Sequence, residues 1–119
     1  MRWIGPSKKE LLDLPKPVRE TVGHELWEAQ LGRLPPGAKF LHGFKGASVV
    51  EIRADHAGNA YRAVYTVRFG DFIYVLLVFQ KESKKGNKTP ANIVELIRKR
   101  LQNAENDYEE WKTETERRK

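Results

Sequence analysis

Residues 60–80 read AYRAVYTVRFGDFIYVLLVFQ, and this stretch decides the fold. Up to Phe69 it alternates. Tyr61, Ala63, Tyr65, Val67 and Phe69 fall on one side, and Arg62, Val64, Thr66 and Arg68 on the other, which is the period-two pattern of a strand with two unlike faces. Gly70-Asp71 reads as a two-residue hairpin connection. Phe72 to Gln80 then reads as the most buried strand. Its apolar run, Phe72 to Phe79, is under half of the roughly 20 residues that a membrane helix needs.

Working upstream, Asp55 to Asn59 is a turn, and Ser48 to Arg53 is a strand with Val50 and Ile52 on one face and Val49, Glu51 and Arg53 on the other. Three strands joined by short links predict an antiparallel meander. Lys39-Phe40-Leu41 is a further short strand, set off by the breaker Leu34-Pro35-Pro36-Gly37. At the start, Met1 to Ile4 reads as a brief strand. A helical hairpin follows. Its first helix, Lys8 to Leu14, is expected to take Ser7 as cap with Glu10 completing a capping box. Its second, from about Val18 to Leu31, carries the stripe Val18, Val22, Leu26 and Ala29.

Downstream, Lys81 to Lys88 is a polar loop, and Thr89-Pro90 reads as a helix start with a hydroxyl cap and proline at the first helical position. Ile93, Leu96, Ile97, Leu101, Ala104, Tyr108 and Trp111 then keep a helical stripe for about five turns, which predicts a long helix packed on the sheet. The expectation is one α+β domain over residues 1–112, with a frayed tail over residues 113–119.

The whole chain has 119 residues, 39% hydrophobic and 32% charged. That is enough apolar material for one core and too little length for two domains. There is no cysteine, so disulfides, thiolate nucleophiles and Cys-based zinc sites are excluded. No charged-then-apolar leader precedes a small-residue cleavage site, so a cytoplasmic location without membrane association is expected. The net charge of +6 is uneven: zero over residues 1–30, +3 over 31–80, +5 over 81–100 and −2 over 101–119. A concentrated basic segment attracts polyanions, because binding releases counterions from a phosphate backbone. A solubilising face is the plainer alternative.

Conventional small-molecule chemistry finds little support. The three histidines, His24, His42 and His56, lack ligand spacing, no serine has a nearby His–Asp pattern, and phosphate-cradling glycine loops are absent, so neither a metal nor a cofactor is expected. What remains is a set of cations and aromatics on the meander. Arg53, Arg62 and Arg68 are interleaved with Tyr61 and Tyr65, and Lys81, Lys84, Lys85 and Lys88 leave the last strand. Such a set suits phosphate contacts with base stacking on tyrosine. The alternative places both tyrosines in the core and Arg62 in an ion pair with Glu51.

The blocks Glu51-Ile52-Arg53, Tyr61-Arg62-Ala63-Val64-Tyr65, Phe79-Gln80-Lys81 and Thr89-Pro90, in this order and spacing, resemble the phage-derived HigB-like toxins of the RelE superfamily. The resemblance runs from about Leu34 to Tyr108. It implies a RelE-like fold, with helices on a mainly antiparallel sheet. It also implies the toxin half of a type II toxin–antitoxin pair, which cleaves messenger RNA on the ribosome without metal and is neutralised by a helix-turn-helix, HigA-like antitoxin.

On that resemblance Arg53, Arg62 and Lys81 are the catalytic candidates, and Tyr61, Arg68, Lys84, Lys85 and Lys88 the RNA-binding ones. His56 is the alternative base, since imidazole titrates near neutrality. Glu51 and Glu82 stand where RelE itself carries a lysine and an arginine, and RelE's late tyrosine has no clear counterpart. The competing reading is therefore a non-catalytic relative that binds RNA or a partner protein through the same groove.

Overall fold

The computed structural model describes residues 1–44, 48–67, 70, 72–81 and 90–118. In chain order the elements are β1 (Arg2–Trp3), α1 (Ser7–Leu12), α2 (Lys16–Gln30), β2 (Lys39–Leu41), β3 (Val49–His56), β4 (Asn59–Thr66), β5 (Tyr74–Lys81) and α3 (Ala91–Arg117). The strands form one sheet in the order β1-β5-β4-β3-β2. The β2 to β5 pairs are antiparallel and β1 runs parallel to β5. The result is the mixed α+β fold and meander that the periodicity predicts.

Helices cover both faces of the sheet. On one, Leu11 of α1 and Val18, Val22, Leu26 and Ala29 of α2 pack on Val50, Ile52, Ala54, Tyr61, Ala63 and Tyr65. On the other, Ile97, Leu101 and Ala104 of α3 pack on Val49, Val64, Leu76 and Leu77. Strand alternation sorts the residues between these two cores, which we call the α2 face and the α3 face. One irregularity adjusts the sorting. Val64 pairs with Leu77 and Tyr65 with Val75, so Leu76 is an extra residue, and the bulge turns both Leu76 and Leu77 toward α3.

The same bulge leaves backbone groups to satisfy. β1 reaches only as far as Ile4, whose N–H donates to Val75 O at 3.0 Å. Beyond it the outer edge of β5 needs other partners. Arg100 of α3 donates to Leu76 O at 3.0 Å, and Val78 N–H donates to Glu10 Oε1 of α1 at 3.1 Å. The two side chains close the arrangement with paired bonds of 2.8 and 3.0 Å. Glu10 is therefore not a capping-box residue. Helix α1 begins at Ser7, Pro6 takes the cap position, and no side chain caps it, because a buried guanidinium and an edge N–H claim the carboxylate. Among the described residues the buried Ser7 Oγ has no hydrogen-bond partner.

Other boundaries moved as well. Helix α3 starts at Ala91, with Pro90 in the cap position, while Thr89 lies outside the described residues. Strand β4 ends at Thr66 and β5 begins at Tyr74, both shorter at the Gly70 end than the alternation predicts. The tail expected to fray from Thr113 is helical to Arg117. Trp111 anchors it against Phe72 at 5.1 Å between ring centroids, stacked with Tyr108 at 5.7 Å. A 2.7 Å bond from Arg2 Nε and a 2.6 Å bond from Tyr74 Oη both end on Asp107, joining β1 and β5 to the same helix.

Two stability tests follow. Arg100→Ala strands Glu10 and Leu76 O, so it should cost about 3–5 kcal/mol in denaturant melts, the usual cost of breaking a buried pair from one side; a loss under about 0.5 kcal/mol would show that the pair carries nothing. Asp107 is held below its ordinary carboxylate value of 3.8 chiefly by the Arg2 hydrogen bond. Its contribution is therefore full above that value and fades as acid carries the pH down through the depressed one. Asp107→Asn should be less stable than wild type at neutral pH, and the difference should vanish in strong acid. A gap that persists in acid would contradict this assignment.

Candidate nucleic-acid interface

The β3–β4 hairpin turns on Ala57 and Gly58, whose φ values are +50° and +80°. A tight turn with both central residues left-handed matches the twist of the strands and pins their register. His56 then pairs with Asn59, Asp55 with Ala60, Arg53 with Arg62 and Glu51 with Val64. On the far side of β4, Arg62 pairs with Phe79 and Ala60 with Lys81, and at the other edge Lys39 of β2 pairs with Glu51. Directly paired residues share a face. The α3 face thus gathers Lys39, Glu51, Arg53, Asp55, Arg62, Phe79 and Lys81 at its hairpin end, with Arg53 and Lys81 two strand spacings and two residues apart, roughly 12 Å.

Two arginines directly opposite each other destabilise a sheet unless something neutralises them. Here Arg62 is neutralised. Its side chain is only 4% exposed and lies with Nε 3.7 Å from Glu51 Oε1 and Nη1 3.4 Å from Asp55 Oδ1. Nη1 also donates to Tyr61 O at 2.8 Å. Among the described residues Arg62 Nε has no hydrogen-bond partner within range. Arg53 is exposed and Lys81 half-buried. Among the described residues the face therefore offers three accessible cations, Arg53, Lys81 and the exposed Lys39, around a buried fourth one that carries its own counter-ions.

The expected site residues divide accordingly. Arg53, Arg62 and Lys81 come together on one face. Tyr61 does not join them: it is 5% exposed on the α2 face, inside the core, so its ring has no open side for a base and the stacking role is withdrawn. Tyr65 is buried there too, its phenol pushed up to about 12 by burial and by the nearby Glu25. His56 alternates with Asp55 and so falls on the α2 side of the exposed hairpin tip, whereas the arginines fall on the α3 side. The structure holds Arg62 in the ion pair with Glu51 as well as on the candidate face. Arg68, Lys84, Lys85 and Lys88 lie outside the described residues. Among the described residues no group of three His, Asp or Glu side chains has the geometry to hold a metal, and no helix is long and apolar enough to cross a membrane.

Lys39, Asp55 and Phe79 complete the face and were not singled out from the sequence. Counting register outward from Ala57-Gly58 finds Asp55 and, through β5, Phe79. Lys39 needs the β2–β3 pairing, which no local pattern announces.

Fold and face together define a small α+β protein with a cationic patch at the open end of a helix-covered sheet. The chain belongs to the phage-derived protein Gp49-like (DUF891) family, whose model matches residues 9–102, a family related to toxin–antitoxin toxins. The matched span takes in most of α1, all of α2 and β2 to β5, and nearly half of α3, and so every residue of the face. Comparison with curated proteins finds no match, and comparison with solved structures finds none either.

Proposed function

We propose that this chain is the toxin of a type II toxin–antitoxin pair and a metal-independent, ribosome-dependent messenger RNA endonuclease. The observation that carries this reading is the cross-strand Arg53–Arg62 pair with Lys81 beside it, in a member of the Gp49-like family. Cleavage without metal needs the 2′-hydroxyl to attack the adjacent phosphate in line, with cations ready for the charge that develops on the phosphate oxygens. Arginine suits that task, because its planar fork meets two phosphate oxygens at once and stays charged. Arg53 and Arg62 hold the phosphate in this scheme. Lys81 supplies a proton or a further charge at its flank in the same scheme. Arg68, Lys84, Lys85 and Lys88 extend the attraction along the RNA strand. The partner is a helix-turn-helix antitoxin that neutralises the toxin.

A second reading has a specific observation in its favour. Glu51 and Asp55 already occupy Arg62, which favours a non-catalytic relative that binds RNA or a partner protein through Arg53 and Lys81.

Induced expression separates these readings. The first expects growth arrest, with new messenger 5′ ends inside translated frames. Arg53 is exposed, so Arg53→Ala should keep the fold. Losing one such charge-stabilising donor costs on the order of 10²–10³-fold in rate, enough to relieve the arrest. Arrest without new 5′ ends would favour the second reading, and soluble, folded wild type that changes neither growth nor 5′ ends would overturn the toxin assignment.

A further inference from the structure

We propose that Asp55 is a displaceable counter-ion that holds Arg62 in reserve and hinders the binding of a single free anion more than that of a chain of phosphates. This rests on the reading that the face takes RNA, and it adds a residue that sets what the face accepts.

The two carboxylates on Arg62 are not equivalent. The Glu51 side chain is 9% exposed, walled into the sheet beside Arg62, and removing it would strand a buried cation. The Asp55 side chain is 68% exposed and reaches Arg62 across 3.4 Å, at the long limit of a hydrogen bond. It is largely hydrated already, so leaving Arg62 costs it little, as for other exposed ion pairs. The backbone need not move: the Asp55–Ala60 and His56–Asn59 pairs hold the hairpin, and rotation of one side chain is enough. Arg62 in turn can use a new acceptor. The atom that Asp55 releases is Nη1, which keeps its bond to Tyr61 O at 2.8 Å, so a phosphate oxygen can take the place of the carboxylate.

The other charged groups on the face decide which anion wins. Arg53 is paired directly opposite Arg62, Lys81 opposite Ala60, and Lys39 opposite Glu51. A lone phosphate must displace Asp55 for one set of contacts. An RNA strand can bind through Arg53 and Lys81 whether or not Asp55 has left Arg62, so only part of its affinity depends on the displacement. Asp55 thereby raises the threshold for small anions while leaving the face open to polyanions. It acts through Arg62 and is a positioning residue.

The test compares wild type, Asp55→Asn, Asp55→Glu and Glu114→Gln. The last removes one charge near the C-terminal end of α3, where the helix lies by Phe72 rather than the hairpin. Inorganic phosphate is titrated while the Arg62 Nε–H resonance is followed by NMR, and a single-stranded RNA oligonucleotide is titrated in parallel. Asp55→Asn should bind phosphate about two- to fivefold more tightly at Arg62, the range of an exposed ion pair, with a smaller gain for RNA. Asp55→Glu and Glu114→Gln should stay close to wild type. Asp55→Asn no tighter for phosphate than Glu114→Gln, or a gain for RNA as large as for phosphate, would overturn the proposal. If phosphate responds as expected while no variant binds RNA, Asp55 keeps its role as counter-ion, but the RNA reading and the preference for chains fall.

Discussion

Glu10 and Arg100 meet at the one stretch of β5 that β1 is too short to cover. Arg100 satisfies the carbonyl that the Leu76 bulge turns outward, Glu10 satisfies the amide of Val78, and the two charges satisfy each other. An open strand edge would otherwise carry unpaired polar groups into a buried layer or offer them to another chain. The pair also binds α1, β5 and α3 together across the sheet. With that edge closed, β5 keeps its register against β4, and the register is what sets Phe79 beside Arg62 and Lys81 beside Ala60. The candidate interface thus depends on an ion pair that lies at the opposite edge of β5.

Much of the scaffold was legible because it follows simple periods. The alternation over residues 60–66, the stripe from Ile93 to Trp111 and the residues Lys39 to Leu41 all became the expected elements. What was not legible depends on partners far away in the chain. Glu10 reads locally as a capping-box residue and becomes one only if no better donor competes; Arg100, 90 residues on, is a better donor. The tail after Thr113 reads as frayed until Phe72 offers Trp111 a surface. The Leu76 bulge is invisible in a continuous apolar run, where every residue suits either face.

The site was legible in part for the same reason. Arg53, Arg62 and Lys81 share a face because strand parity and a two-residue turn put them there, and both can be counted from the sequence. Burial cannot be counted. Tyr61 has the composition of a stacking platform, yet parity places it under α2, and His56 goes to the same side. The charge balance around Arg62 is likewise a product of folding: Glu51 and Asp55 lie two residues to either side of Arg53 and converge on the arginine of the neighbouring strand. The face is less basic than the list of its cations suggests. Among the described residues its accessible positive charge is Arg53, Lys81 and Lys39, with Arg62 behind carboxylates.

The proposed function requires that nucleic acid meet the α3 face at the hairpin end and not the α2 face. Backbone and side-chain NMR shifts on titration with a single-stranded RNA oligonucleotide measure this directly. The shifts should concentrate on Arg53, Arg62, Lys81 and Lys39, leaving His24 and the outer surface of α2 unmoved. Shifts centred on α2 with Arg53 and Lys81 silent would contradict it.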